Sequence, residues 1–185
     1  MSRYHLVTTW RFDATVEQVA TVLADVERLI DWWPSVYLDV VELAPGDESG
    51  VGKEVELFTK GWLPYTLRWT FRVTEADGQH VVLTPTGDFM GRGEWTFVQD
   101  GPTAVVRYDW DVEARKPILR ALSWLFRPVF TANHDWAMRQ GEESLRLELA
   151  RRRAVTPEER SRILPPPGPS FLTFGAARRR RPSHP

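Results

Sequence analysis

The sequence predicts an α+β chain: a curved antiparallel sheet of about seven strands wrapped around a long C-terminal helix, with two short helices after the first strand. Three observations predict it. Between residues 54 and 112, successive segments alternate apolar and polar side chains, so each strand has one dry and one wet face. Gly, Pro or Asp separates these segments at spacings of about ten residues, as in a meander. Helical spacing of apolar residues recurs in a stretch after the first strand and in a longer one near the C-terminus.

The elements follow in order. In YHLVTTWRF, Tyr4, Leu6, Thr8, Trp10 and Phe12 share one side of a strand. Asp13 or Thr15 can cap the next segment, where Val16, Val19, Val22, Leu23 and Val26 keep helical spacing. Pro34 ends it, because the residue before a proline disfavours helix. A strand is expected around SVYLDVVEL, then a turn through PGDESGVGK into KEVELFTKG. In YTLRWTFRV, Tyr65, Leu67, Trp69, Phe71 and Val73 alternate with Thr66, Arg68, Thr70 and Arg72. QHVVLTP has a weaker period, whereas GEWTFV and AVVRYDWDV alternate cleanly. After Pro117 the pattern is helical; Pro128 should kink or divide the helix, which resumes to about Arg152. The expected domain is residues 1–153. Residues 154–185 carry 7 of the 14 prolines and are expected to be mostly disordered or extended.

Composition excludes several function classes. No cysteine is present, which removes thiol catalysis, zinc ribbons and a disulfide framework. No apolar run is long enough for a membrane-spanning helix, and MSRYHLVTTW lacks the pattern of a secretory signal, so the cytoplasm is the expected compartment. The net charge of −1 hides a division: residues 1–150 hold 15 Lys+Arg against 23 Asp+Glu, and residues 151–185 hold 9 Arg against 2 Glu. An acidic body makes nucleic acid an unlikely partner. The Arg178–Arg181 run could reach an anionic surface. The oligomeric state is not readable.

One strand, two small helices, about six further antiparallel strands and a long final helix is the helix-grip order. In this order the chain resembles the SRPBCC superfamily, which includes START lipid-transfer domains, the birch-pollen-allergen class and the polyketide cyclase/dehydrase family. The resemblance is carried by FDATVEQVATVLADVERLIDWWPSV, by the glycine-containing GDESGVGKEVEL, and by NHDWAMRQGEESLRLEL, and it covers about residues 3 to 152. It implies a cavity between sheet and helix that takes hydrophobic molecules. No cofactor is implied.

Candidate site residues come from two geometric arguments. A helix turns by about 100° per residue, which puts Phe130, Ala137, Met138, Gly141, Leu145 and Leu149 within about 60° of His134. Asp135 falls instead with Arg139, Glu142, Glu143 and Arg146, a solvated face with charges spaced to pair. His134 therefore points toward the sheet and Asp135 to water. His134 is either a hydrogen-bonded core histidine, a polar anchor inside a cavity, or a proton-transfer group.

Strand parity gives the second set. The inward residues expected are Leu6, Thr8, Trp10, Val55, Leu57, Thr59, Tyr65, Leu67, Trp69, Phe71, Trp95, Phe97, Tyr108 and Trp110, with no charged side chain among them. Aromatic walls with few polar points suit an apolar ligand, and Thr8, Thr59, Tyr65, Tyr108 and His134 could orient it. With Phe130 and Met138 of the helix and Trp33 before Pro34, these form the expected ligand set.

Other motifs fail on context. Gly50 and Gly52 before Lys53, and Gly87, Gly91 and Gly93, lead into strands rather than helices, so they cradle no phosphate. His5, His80, His134 and His184 are too dispersed for a metal motif. Asp109 and Asp111 share a wet face. The functions compatible with this pattern are binding of a hydrophobic or aromatic small molecule, cyclase/dehydrase chemistry with His134 or Tyr108 moving protons, and partner binding. The last would use Trp62, the Trp136, Gln140 and Leu147 stripe, or the tail.

Overall fold

The computed structural model describes residues 3–115 and 127–170. Its seven strands are β1 (Arg3–Asp13), β2 (Tyr37–Ala44), β3 (Glu54–Lys60), β4 (Thr66–Ala76), β5 (His80–Gly87), β6 (Phe89–Asp100) and β7 (Thr103–Ala114). They form one antiparallel sheet in the order β1-β7-β6-β5-β4-β3-β2. Strands β2 to β7 are a meander, and β1 pairs back onto β7. The chain therefore has to cross from one sheet edge to the other between β1 and β2. It does so through α1 (Val16–Ala24), a 3-10 turn (Val26–Arg28) and α2 (Leu29–Trp32). Thr15, not Asp13, caps α1, in a reciprocal box with Gln18.

The long helix α3 (Arg127–Arg153) lies across the concave face of the sheet. Pro128 is the second residue of this described helix, and the segment before it, 116–126, on which the expected kink or division depends, lies outside the described residues. His134 and Asp135 do point apart: His134 is partly buried and Asp135 exposed. Of the spaced charges on the wet face, Glu142 and Arg146 pair at 3.2 Å.

The weak period of β5 has a local cause. A bulge shifts the β4–β5 register between Val73 and Glu75. Pairing of β5 with β6 then ends at Leu83 and Gly93, so Pro85 has no ladder hydrogen bond to forfeit on that side. The convex face is wet, as expected. Asp111 pairs with Arg3 and Asp109 with Arg107, both at 2.6 Å, and these guanidinium groups hold both carboxyl groups below the usual range.

The region after Arg153 departs from the expectation of irregular chain. Residues Pro157–Ser161 form a short helix, α4, capped by Thr156 and Glu159 with Pro157 in its first turn. Arg151 also donates to the Leu164 carbonyl, which ties this segment to α3. Phe171, Leu172, Phe174 and the Arg178–Arg181 run lie outside the described residues.

Candidate functional site: a cavity between sheet and helix

The sheet curls away from α3, and the two do not close on each other completely. A cavity of about 350 Å³ remains between them. At one end it lies between the last turn of α1, the β2–β3 loop and the β4–β5 turn, where Ser49 and Gly78 are exposed. At the other end it is enclosed by Lys60, Gly61, Phe89, Phe130, Asn133 and His134.

Most of the expected ligand set lines this space: Trp33, Thr59, Leu67, Trp69, Phe71, Trp95, Phe97, Tyr108, Trp110, Phe130, His134 and Met138. One wall is continuous aromatic surface. Trp95 stacks on Tyr108 at 4.0 Å, Tyr108 on Trp110 at 5.5 Å, and Trp110 meets Trp69 and Phe89 at 5.5 and 5.7 Å. Trp69 is fixed by its indole N–H, which donates to Thr59 Oγ1 at 3.1 Å. That bond uses Thr59 within the wall, so it is a support for Trp69 before it is a ligand contact.

Three expected residues are not in the lining. Trp10 faces inward but lies behind the wall, in contact with Trp33 at 5.6 Å and Trp95 at 5.5 Å, and is 1% exposed. Thr8 sits opposite Tyr108 on β1, beyond the strand that bounds the cavity. The inward side of β1 is used for packing on α3, as in the 4.2 Å contact of Tyr4 with Phe130. Tyr65 precedes β4, so strand parity does not govern it; its hydroxyl is buried without a partner among the described residues, and burial pushes its pKa up to about 12. The two Trp before Pro34 have different places. Trp33 lines the cavity, while Trp32 stacks on it at 5.4 Å as core.

The polar groups differ from expectation in a second way. The wall is not free of charge: Lys53 and Lys60 both line it. Parity places Lys60 outward, but β3 ends there, the Lys60 N–H donates to the Val36 carbonyl, and the residue is 3% exposed. Burial lowers its pKa. Tyr37 and Asn133 also line the cavity without having been predicted. Burial raises the pKa of both the Tyr37 and Tyr108 phenols. Asn133 Oδ1 accepts from the Leu63 N–H at 3.2 Å, and Gly61 lies flat against the same amide. The β3–β4 loop, including the half-buried Trp62, is thereby docked on α3.

His134 is the most distinctive of these groups. Its Nε2 is buried with no hydrogen-bond partner among the described residues. Burial depresses its pKa from 6.5 to about 4 despite the opposing field of Asp135, which keeps the ring neutral near pH 7. Among the described residues no group of His and carboxylates could hold a metal ion, and no helix is long and apolar enough to cross a membrane.

A seven-stranded antiparallel sheet gripping a C-terminal helix around an apolar cavity is the SRPBCC architecture. Residues 3–149 match the model of the family described as polyketide cyclase/dehydrase and lipid transport, and the chain belongs to that family. Solved structures share the fold at low identity. TTHA0849 from Thermus thermophilus is 18% identical, with a TM-score of 0.63 over 77% of this chain and 97% of its own. The Zhui aromatase/cyclase from Streptomyces sp. R1128 is 19% identical, with a TM-score of 0.63 over 83% and 98%. A STAR-related lipid transfer protein from Xanthomonas axonopodis is 17% identical, with a TM-score of 0.51 over 78% and 85%. No curated protein matches the chain.

Proposed function

We propose that the chain binds a hydrophobic or aromatic small molecule, of lipid, polyketide or isoprenoid class, between the sheet and α3. The observation that carries this reading is an aromatic-walled cavity of about 350 Å³, which a neutral His134 helps to line. Apolar walls supply the burial that drives such binding, at about 25 cal/mol per Å² of apolar area, and a few polar groups fix orientation. Tyr37, Tyr108 and His134 are those groups. The test is native mass spectrometry of the purified protein with organic extraction of bound material, followed by tryptophan fluorescence during titration with N-phenyl-1-naphthylamine. Quenching that saturates at one equivalent supports the reading, and a protein indifferent to apolar probes rejects it.

One observation favours a second reading, chemistry of the cyclase/dehydrase kind. A neutral imidazole and two phenols line the same cavity and can accept and donate protons, and an apolar wall can hold a flexible chain in a reactive conformer. A chemically altered product recovered after incubation, and lost in His134→Ala, would select this reading over binding alone.

A further inference from the structure

We infer that Lys53 is a clasp across the exposed end of the cavity, joining α1 to the β2–β3 loop, and that ligand enters and leaves there when its ammonium group parts from the Ala24 carbonyl. This rests on the binding function proposed above and assigns the passage that such a ligand takes.

The exposed end lies between the last turn of α1, the β2–β3 loop and the β4–β5 turn. The loop is stiffened from within. Asp47 Oδ1 accepts from the Ser49 and Val51 N–H groups at 2.9 and 3.0 Å, and the Asp47 N–H donates to the Val51 carbonyl at 2.8 Å. The Gly52 N–H donates to the Val73 carbonyl and the Val73 N–H to the Lys53 carbonyl, both at 2.9 Å, which fixes the base of the loop on β4. On the other side, the last turn of α3 holds both ends of α1: Arg153 donates to the Asp13 carbonyl, and Arg152 meets Asp25 at 3.8 Å. Each side is firm in itself, so the cavity widens most readily where the two meet.

Lys53 spans that junction. Its Nζ donates to the Ala24 carbonyl at 3.2 Å, while Glu42 Oε2 holds it from β2 at 3.3 Å. The Ala24 carbonyl belongs to the last turn of α1, where carbonyls have no partner within the helix and the helix dipole favours a cation. Side-chain packing across the junction is thin, because Ala20 and Ala24 of α1 and Ser49 and Gly50 of the loop are all small. The tie is also partly wet, with the Lys53 and Glu42 side chains 21% and 26% exposed. Such a contact sets a resting position and still breaks readily. The opposite end of the cavity offers no comparable break, since Asn133 docks the β3–β4 loop on α3 there.

The experiment is stopped-flow tryptophan quenching of the full-length protein by N-phenyl-1-naphthylamine at pH 7, which yields kon and koff. Lys53→Met keeps an apolar stem in the cavity wall and removes the ammonium group. Both rates should rise by about three- to tenfold, the range that one such bond spans, while Kd stays within about twofold, because entry and exit use the same opening. Glu42→Gln, which leaves Lys53 held by the Ala24 carbonyl, should raise both rates by a smaller factor. Arg68→Met removes a pair with Glu56 at 3.0 Å on the outer face of the sheet; it is the control and should leave both rates unchanged. Unchanged rates in Lys53→Met, or rates raised equally in Arg68→Met, overturn the clasp and leave apolar binding intact. A weaker Kd at unchanged kon also overturns it, since Lys53 would then be a ligand contact. A wild type that does not bind the probe overturns the binding function together with the clasp. If Lys53→Met does not fold, as judged by circular dichroism, the comparison of Glu42→Gln with Arg68→Met decides the question.

Discussion

The ring of Trp33 lies on the α-carbon of Gly141, so that a methyl group at position 141 would overlap the indole Cζ2. Glycine in mid-helix costs about 1 kcal/mol against alanine, yet here it admits the indole that joins α2 to α3 and also lines the cavity. Trp33 is held in this place by Trp10, Trp32 and Tyr37 at 5.6, 5.4 and 5.1 Å. Gly141→Ala should therefore destabilise the protein by about 1–2 kcal/mol, because overpacking outweighs the gain in helix propensity. Urea denaturation measures it; a stabilised variant would refute the contact.

The depressed pKa of His134 makes stability depend on pH in a stated window. Its folded value, about 4, lies below the usual 6.5, so between these values the unfolded chain holds the extra proton. Stability is then fully present above pH 6.5 and is lost as pH falls toward 4, by about 3 kcal/mol from this group alone. Carboxyl groups held low by arginine act further down the scale. The difference between wild type and His134→Gln isolates the histidine: denaturation midpoints should converge as pH falls through this window. A constant offset between the two would show an ordinary pKa.

Asn133 docks the β3–β4 loop on α3. Asn133→Ala leaves the Leu63 N–H without its acceptor, at a cost of about 1–2 kcal/mol. The loss is local. Amide exchange at Leu63 should accelerate by roughly tenfold or more while core strands keep their protection, as read by hydrogen exchange and NMR.

Ala137 tests the cavity by volume. It is half-buried on the inner face of α3 and lines the open space, so Ala137→Leu fills part of that space without displacing packed atoms. Affinity for an apolar probe should fall by at least about tenfold. The melting temperature should stay level or rise, since filling a cavity commonly adds about 0.5–2 kcal/mol. A lower melting temperature with unchanged affinity would place the binding elsewhere.

Much of this arrangement was legible in the sequence because periodicity reports which face of an element is dry. The alternation in YTLRWTFRV and AVVRYDWDV identified the inward aromatics, and the helical angle between His134 and Asp135 separated the wet residue from the buried one. Parity says nothing about distance across the interior. Trp10 and Trp69 have the same inward parity, yet Trp10 is packed behind Trp33 and Trp95 while Trp69 faces open space. Lys60 escaped notice for a related reason, since it breaks parity at the last residue of its strand. Phe89 was missed because β6 begins several residues before its alternation becomes regular.

The sequence by itself determined the order of elements, the dry and wet faces and the side of the helix that carries His134, because these depend on local geometry repeated along the chain. Only the tertiary structure decided where the interior stays open and which polar groups meet there. Both depend on how far the sheet curls from α3, a balance of packing among residues as remote in sequence as Trp33 and Gly141 or Gly61 and Asn133.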